Sequence, residues 1–274
     1  MARVSGGKVA IDGTYMQYVR FGSGKKNVII LPGLSDGLAT VKGKALLLSY
    51  PYREFFDEFT IYMFSRKDDM PDGYSIEDMA DDQAAVLRSL GIEKTSVLGV
   101  SEGGMIAQVL ASRYPEMTES AVLAVTAPYN NDISAERIHL WRECAMRRDH
   151  KALMIDTAEH SYSELYLKKY RRIYPFLGFI GKPKDYRRFL INAFAIIRFD
   201  ARKTDRTIKC PVLIIGGKED KIVGPDASYE LHDLISGSML YMYEVLGHAA
   251  YEEAQDFNDR AFSFMRGYDR WTLT

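Results

Sequence analysis

The sequence lacks most of the features that mark secreted, membrane-spanning or metal-binding proteins. It has only two cysteines, Cys144 and Cys210, and their spacing is not that of metal ligands. The first residues lack the apolar region of a secretory signal, and no apolar run approaches the roughly 18 residues of a membrane-spanning helix. These absences predict a reduced protein of the cytoplasm without a membrane span.

An excess of charge of either sign is also missing. The 36 basic residues nearly balance the 37 acidic ones, and the formal net charge is −1. Overall charge therefore gives no indication of nucleic acid or of a membrane surface as a partner. A length of 274 residues with 47% hydrophobic content fits one large α/β domain, or a core with a modest insertion.

The most informative stretch of the chain is Gly99-Val100-Ser101-Glu102-Gly103, which lies between a strand-like apolar run and a helix-like one. A buried strand that turns sharply into a helix at a serine is a nucleophile elbow, and it projects the hydroxyl into a cleft. Such a turn strains the serine backbone, and only small residues fit beside it, as Gly99 and Gly103 would. If this interpretation holds, the rest of the chain must supply a base, a carboxylate and an oxyanion hole.

Strand-like and helix-like segments alternate on both sides of the elbow. Strands are predicted at residues 8–11, 16–20, 27–31, 60–64, 121–125, 210–216 and 239–245, and helices at residues 75–90, 228–235 and 256–264. This alternation predicts an α/β fold with a mainly parallel, twisted sheet and helices on both faces. Residues 129–206 contain no convincing strand, so we predict a helical cap there, inserted into a core of residues 1–128 and 207–274.

Four motifs occur in an order that resembles the α/β-hydrolase superfamily. They are Leu31-Pro32-Gly33-Leu34, the serine elbow, Gly216-Gly217-Lys218-Glu219-Asp220, and Gly247-His248. The resemblance covers both ends of the chain and fades over residues 129–206. It implies the chain order serine, acid, histidine, which Ser101, Asp220 and His248 obey. The acid and the histidine each follow a predicted strand, where loops converge beside the elbow.

The resemblance also implies a role for each residue. Ser101 would be the nucleophile, His248 the general base and then acid, and Asp220 the carboxylate that orients the imidazole. The backbone N–H groups of Leu34 and Glu102 would form the oxyanion hole. The family often has His-Gly where this chain has Pro32-Gly33, but the donor at position 34 does not depend on that residue. We expect no metal and no cofactor.

This triad predicts a serine hydrolase that cleaves a small or medium carboxylic ester or thioester through an acyl-enzyme intermediate. The same triad also supports C–C bond hydrolysis, amidase or aminopeptidase activity, and cofactor-free perhydrolysis. A non-catalytic receptor that retains the triad is a further alternative. The sequence fixes neither the substrate nor the oligomeric state.

The predicted cap is rich in aromatic and basic residues. A cap over a serine site normally supplies the pocket wall, and we predict that Tyr129, Phe176 and Phe179 line a pocket for the small-molecule substrate. The basic pairs, such as Arg147-Arg148 and Lys168-Lys169, are interpreted as a solvated outer face, with attraction of an anionic substrate as the alternative.

Overall fold

A computed structural model describes residues 4–203 and 207–267 of the chain. Eight strands form one sheet in this region: β1 (Val4–Ile11), β2 (Thr14–Gly22), β3 (Lys26–Leu31), β4 (Phe59–Lys67), β5 (Thr95–Val100), β6 (Thr118–Ala124), β7 (Val212–Gly217) and β8 (Met239–Tyr243). Their order across the sheet is β1-β2-β4-β3-β5-β6-β7-β8.

Most of the sheet is parallel, and its β1 edge is antiparallel. β1 and β2 form a hairpin, and β2 pairs antiparallel with β4. From β4 across to β8, every neighbouring pair is parallel. Side chains of β3 alternate between two cores, with Ile29 and Leu31 on one face and Val28 and Ile30 on the other. A strand that is buried on both faces has a continuous run of apolar residues, as β3 does. The predicted α/β fold class with a mainly parallel sheet is confirmed.

Helices cover both faces of the sheet. The described α-helices are α1 (Ala45–Ser49), α2 (Ile76–Ser89), α3 (Glu102–Arg113), α4 (Asp132–Met146), α5 (His150–Ser161), α6 (Glu164–Tyr170), α7 (Arg187–Arg198), α8 (Asp226–Leu234), α9 (Ala250–Glu253) and α10 (Phe257–Met265). α2, α3 and α8 bury apolar side chains in one core, and α10 does so in the other. No described helix is both long and apolar enough to cross a bilayer.

The strand predicted at residues 60–64 is longer in the structure, because β4 continues through Lys67. Ser65, Arg66 and Lys67 are all buried. Each is compensated by a partner: Ser65 Oγ accepts the N–H of Val41, and Arg66 and Lys67 form ion pairs with buried carboxylates. Polar residues therefore extend a buried strand when every one of them has a partner.

Between β6 and β7 the described chain contains the four helices α4 to α7 and no strand apart from a single bridge that joins Tyr129 to Asp200. This agrees with the expected helical character of the stretch, although residues 204–206 lie outside the described part. The division of the chain into a separate core and cap stays a prediction.

α2 begins at a complete capping box. The Ser75 hydroxyl accepts the N–H of Asp78, and the Asp78 carboxylate accepts the N–H of Ser75. Replacing Ser75 with alanine removes an acceptor from the first turn, so we expect the free energy of unfolding to fall by about 1 kcal/mol. Urea denaturation measures this change. Ser75→Asp keeps the acceptor and should stay near wild type, and an unchanged Ser75→Ala midpoint would contradict the assignment.

Four strand ends determine where the candidate site lies. β3, β5, β7 and β8 run parallel, so their carboxyl ends lie at one edge of the sheet. Residues 32–34, Ser101, Asp220 and His248 follow these four ends in turn. Side chains that are far apart in sequence therefore meet at this edge.

Candidate active site

Ser101 lies in a strained turn between β5 and α3. Its backbone angles are φ 54° and ψ −117°, a region that residues other than glycine rarely adopt. The turn closes only around glycines, since a Cβ on Gly103 would lie 1.9 Å from the carbonyl oxygen of Leu31, and one on Gly99 would lie 2.4 Å from that of Gly103. The backbone thus has the form of a nucleophile elbow.

Thr126 supports this turn from the end of β6. Its hydroxyl donates to the carbonyl oxygen of Ser101 at 2.7 Å, and the N–H of Ser101 donates to the carbonyl of Ala124 at 2.9 Å. The N–H and the carbonyl group of Ser101 therefore both have partners, and these hydrogen bonds hold the strained backbone in place. Thr126 was not among the predicted site residues, although a hydroxyl residue directly after a predicted strand beside the elbow was a usable signal.

Ser101, His248 and Asp220 form one hydrogen-bonded row. His248 Nε2 lies 3.0 Å from Ser101 Oγ, and His248 Nδ1 lies 2.9 Å from Asp220 Oδ2. The side chains of His248 and Asp220 are 10% and 2% exposed, so the row is largely shielded from water. With its proton on Nδ1, the imidazole has Nε2 free to accept the hydroxyl proton of Ser101.

The carboxylate is fixed by the backbone that follows it. Asp220 Oδ1 accepts the N–H groups of Ile222 and Val223 at 2.8 and 3.0 Å, which leaves Oδ2 for His248. Because both oxygens have partners, the carboxylate is held in one orientation, and it holds the imidazole in one tautomer.

The loop that carries His248 is anchored to the helices between β6 and β7. The N–H of Ala249 donates to the carbonyl of Ser161 at the end of α5, at 2.8 Å. Glu253 of α9 accepts the backbone N–H of Ser163 at 2.9 Å and also its hydroxyl. The position of the imidazole is therefore coupled to the start of α6.

Residues 32–34 run past the nucleophile. A Cβ on Gly33 would lie 3.3 Å from Cβ and 3.8 Å from Oγ of Ser101, so this loop is in close contact with the elbow. Leu34 begins a 3₁₀ helix (Leu34–Gly37), and Glu102 begins α3. The first N–H groups of a helix have no partner within that helix. The N–H groups of Leu34 and Glu102 therefore stay the predicted donors of the oxyanion hole.

A buried ion pair links these two donor segments. Arg66 Nη2 donates to Glu102 Oε2 at 2.8 Å and to the carbonyl of Pro32 at 2.7 Å, and both charged side chains are almost fully buried. Asp36 accepts the backbone N–H of Arg66 at 2.9 Å and a guanidinium N–H of Arg188 at 3.0 Å. The Arg66 side chain therefore connects the elbow at Glu102 to the loop of residues 32–34. Through Asp36, Arg188 connects the 3₁₀ helix that follows this loop to α7.

Glu102 was predicted only as a backbone donor, and no role was predicted for its side chain. Burial raises the pKa of the Glu102 carboxyl from its ordinary value near 4.5 to about 7, and the positive charge of Arg66 opposes part of that rise. The side chain has no exposure to water, so the cost of burying its charge dominates the attraction to its partner.

The raised pKa predicts a pH dependence of stability. Between about pH 4.5 and 7 the folded chain holds a proton on Glu102 that the unfolded chain has lost, so the free energy of unfolding falls as pH rises through this window. The contribution is complete below pH 4.5, and up to about 3 kcal/mol of it is lost by pH 7.

Glu102→Gln should remove this component, and urea unfolding at intervals of pH measures the difference between the variant and wild type. Glu116→Gln serves as the control because that side chain is 64% exposed. Parallel wild-type and Glu102→Gln profiles would contradict the assignment.

The three predicted pocket residues are exposed or half-buried in the structure. Tyr129 stacks under the Arg202 guanidinium, with 3.4 Å between the guanidinium carbon and the ring centroid, and a hydrogen bond to Glu230 raises its pKa. Phe176 and Phe179 are 61% and 83% exposed. A role in substrate binding stays a prediction for all three.

These features define a class of protein that has a mainly parallel sheet, a strained serine elbow, and an acid and a histidine that follow later strands. Residues 62–255, well over half of the chain, match the family model of the alpha/beta hydrolase fold. The chain belongs to this family of enzymes.

Similar proteins agree with membership of the alpha/beta hydrolase family. The chain is 24% identical to the human serine hydrolase BPHL over 96% of its own length and 87% of that protein. It is 30% identical to a pimeloyl-[acyl-carrier protein] methyl ester esterase of Neisseria meningitidis, over 65% of its own length and 70% of that protein. An alpha/beta hydrolase from a deep-sea metagenome library superposes with a TM-score of 0.81 over 98% of this chain and all of that one, at 17% identity.

Proposed function

We propose that the chain hydrolyses a small or medium carboxylic ester or thioester through an acyl-enzyme formed on Ser101. The observation that carries this proposal is the unbroken row from Ser101 Oγ through His248 to Asp220, with separations of 3.0 and 2.9 Å. The relatives named above as a serine hydrolase and a methyl ester esterase support the same reaction class.

The first half of the reaction forms the acyl-enzyme. His248 Nε2 removes the hydroxyl proton while Ser101 Oγ attacks the carbonyl carbon of the ester. The imidazolium then gives this proton to the departing alcohol or thiol, and the acyl group stays on Ser101. Asp220 stabilises the imidazolium while it exists, and its two backbone donors keep it in place for that task.

The second half releases the acid. Water takes the place of the alcohol, loses a proton to His248 Nε2 and attacks the acyl carbon, and the same proton returns to Ser101 Oγ as the bond breaks. The N–H groups of Glu102 and Leu34 are assigned to the carbonyl oxygen in both halves. Each such donor typically contributes about 3–4 kcal/mol to the stability of the transition state.

The expected environment is the cytoplasm, because Cys144 and Cys210 are both free thiols.

We also propose that the reaction of the Ser101–His248–Asp220 row requires no metal or cofactor. The row supplies the nucleophile, the proton acceptor and the neutralising charge from side chains alone.

A substrate panel tests the proposal. Esters and thioesters of one acyl series with rising chain length are offered to the wild type and to Ser101→Ala, and release of the alcohol or thiol is followed. We expect saturable hydrolysis by the wild type with an optimum among short or medium chains, and none by the variant. Turnover by Ser101→Ala at the wild-type rate, or no turnover by the wild type across the whole panel, would contradict it.

A further inference from the structure

The chain has a locally basic segment that the balanced overall charge conceals. Residues 165–184 contain six Lys and Arg residues and no Asp or Glu, although the whole chain carries a net charge of only −1. Arg171 is paired with Glu159 and Glu164. The other five have no carboxylate within ion-pair distance among the described residues, and all five are exposed: Lys168, Lys169, Arg172, Lys182 and Lys184.

The same segment exposes large apolar side chains. Phe179 and Leu165 are each 83% exposed, Phe176 is 61% exposed, and Ile180 and Ile173 are about half exposed. Soluble proteins scatter single apolar residues over their surface, but a cluster of this kind marks an interaction surface. Side chains this exposed protrude from the molecule, which distinguishes the cluster from the wall of a groove.

Local structure fixes these side chains in their outward positions. In α6 the buried Leu167 faces inwards, while Leu165, Lys168 and Lys169 share the opposite face through their i, i+3 and i, i+4 spacings. In the following turn Leu177 is buried, and the His150 ring donates to the carbonyl of Ile180 at 2.9 Å. The apolar and basic side chains thus project from an anchored backbone.

We propose that residues 165–184 form a docking surface for an anionic lipid interface. Protruding aromatic and aliphatic side chains enter the boundary between headgroups and acyl chains, and the flanking cations bind the negative headgroups. A convex surface fits a deformable lipid boundary, whereas an acidic protein would need a matching cavity for Phe176 and Phe179. This gives the two rings, first assigned to a substrate pocket, a different role.

The proposal is independent of the hydrolase function, and vesicle binding tests it without a substrate. The full chain is sedimented with vesicles of roughly two parts phosphatidylcholine to one part phosphatidylglycerol, with pure phosphatidylcholine vesicles in parallel. We expect binding to the anionic vesicles that weakens with added salt, and little binding to the neutral ones. Ser101→Ala should bind as the wild type does, so the two proposals can fail separately.

Matched variants locate the surface. Phe176→Ser combined with Phe179→Ser should weaken binding at least about tenfold through lost apolar burial. Lys182→Ser combined with Lys184→Ser should weaken it roughly 25-fold, or about fivefold for each cation. The control is Leu46→Ser combined with Leu47→Ser. These leucines are 75% and 73% exposed in a stretch, residues 38–58, with three basic and three acidic residues.

All substituted side chains are exposed, so thermal unfolding should match the wild type and loss of binding should not reflect misfolding. Absence of binding to anionic vesicles would overturn the proposal, as would equal binding by the wild type and both segment variants. Loss of binding in the leucine control alone would move the surface elsewhere. Binding to polyglutamate without binding to vesicles would overturn it in favour of an acidic macromolecule.

Discussion

Replacing Ser101 with alanine lowers kcat for ester hydrolysis by about 10⁴- to 10⁶-fold, because no other group can carry the acyl intermediate. His248→Ala causes a loss of the same order, since the hydroxyl 3.0 Å away is then no longer activated. The double variant is no worse than either single one, because the two side chains act as a unit. Steady-state kinetics on any ester of the panel measures all three.

The control for this series is His139→Ala, whose imidazole is 68% exposed on α4. It should leave kcat within a factor of about two of wild type, as surface substitutions usually have small effects. Losses for Ser101→Ala and His248→Ala that multiply in the double variant would contradict a shared catalytic step.

Replacing Arg66 with methionine lowers the free energy of unfolding by about 3–5 kcal/mol. The substitution leaves the Glu102 carboxyl buried without its cation, so this group must either stay charged and unpaired or bind a proton. It also removes a donor from the Pro32 carbonyl. Arg88→Met is the matched control. Its guanidinium is 57% exposed and lies 3.9 Å from Glu116, so its loss should cost less than about 1 kcal/mol.

A second variant separates the cost of an unpaired charge from the value of the pair. Arg66→Met combined with Glu102→Met should recover most of the lost stability, because it removes both buried charges. Some polar atoms of the pair have no partner among the described residues, namely Arg66 Nε and Nη1 and Glu102 Oε1, so the pair itself adds little. Urea denaturation measures the free energy of unfolding of the wild type and of each variant. A double variant as unstable as Arg66→Met would contradict this account.

The arrangement of the strands was predictable because each signal was local. Apolar runs marked β3, β5 and β7 as buried strands, and the two short strands predicted at residues 8–11 and 16–20 correspond to the β1–β2 hairpin. The candidate triad followed from the resemblance to the α/β-hydrolase order of serine, acid and histidine. The positions after parallel strands supported it, since such residues converge at one edge of the sheet. Ser101, Asp220 and His248 could therefore be grouped before any distance was known.

What the sequence did not reveal depends on long-range pairing. Arg66 fell outside the strand predicted at residues 60–64 because its partner Glu102 is 36 positions away, and nothing local indicates that the two meet. Short elements were missed for a related reason. α9 has only four residues, too few to show a helical period.

The pocket residues were predicted with the weakest signal. Phe176 and Phe179 were chosen for their aromatic character within a stretch whose fold had no strand order to constrain it. The structure exposes both rings to solvent. Composition alone cannot distinguish an aromatic residue that faces a cleft from one that faces the surroundings, because both satisfy the same local pattern.

The most direct measurement is active-site labelling of the folded protein with a fluorophosphonate, followed by peptide mass analysis. The account predicts one adduct per chain, on the Ser101 hydroxyl, with no adduct in Ser101→Ala and a much slower reaction in His248→Ala. A folded wild-type chain that stays unlabelled, or one labelled at a residue other than Ser101, would contradict it.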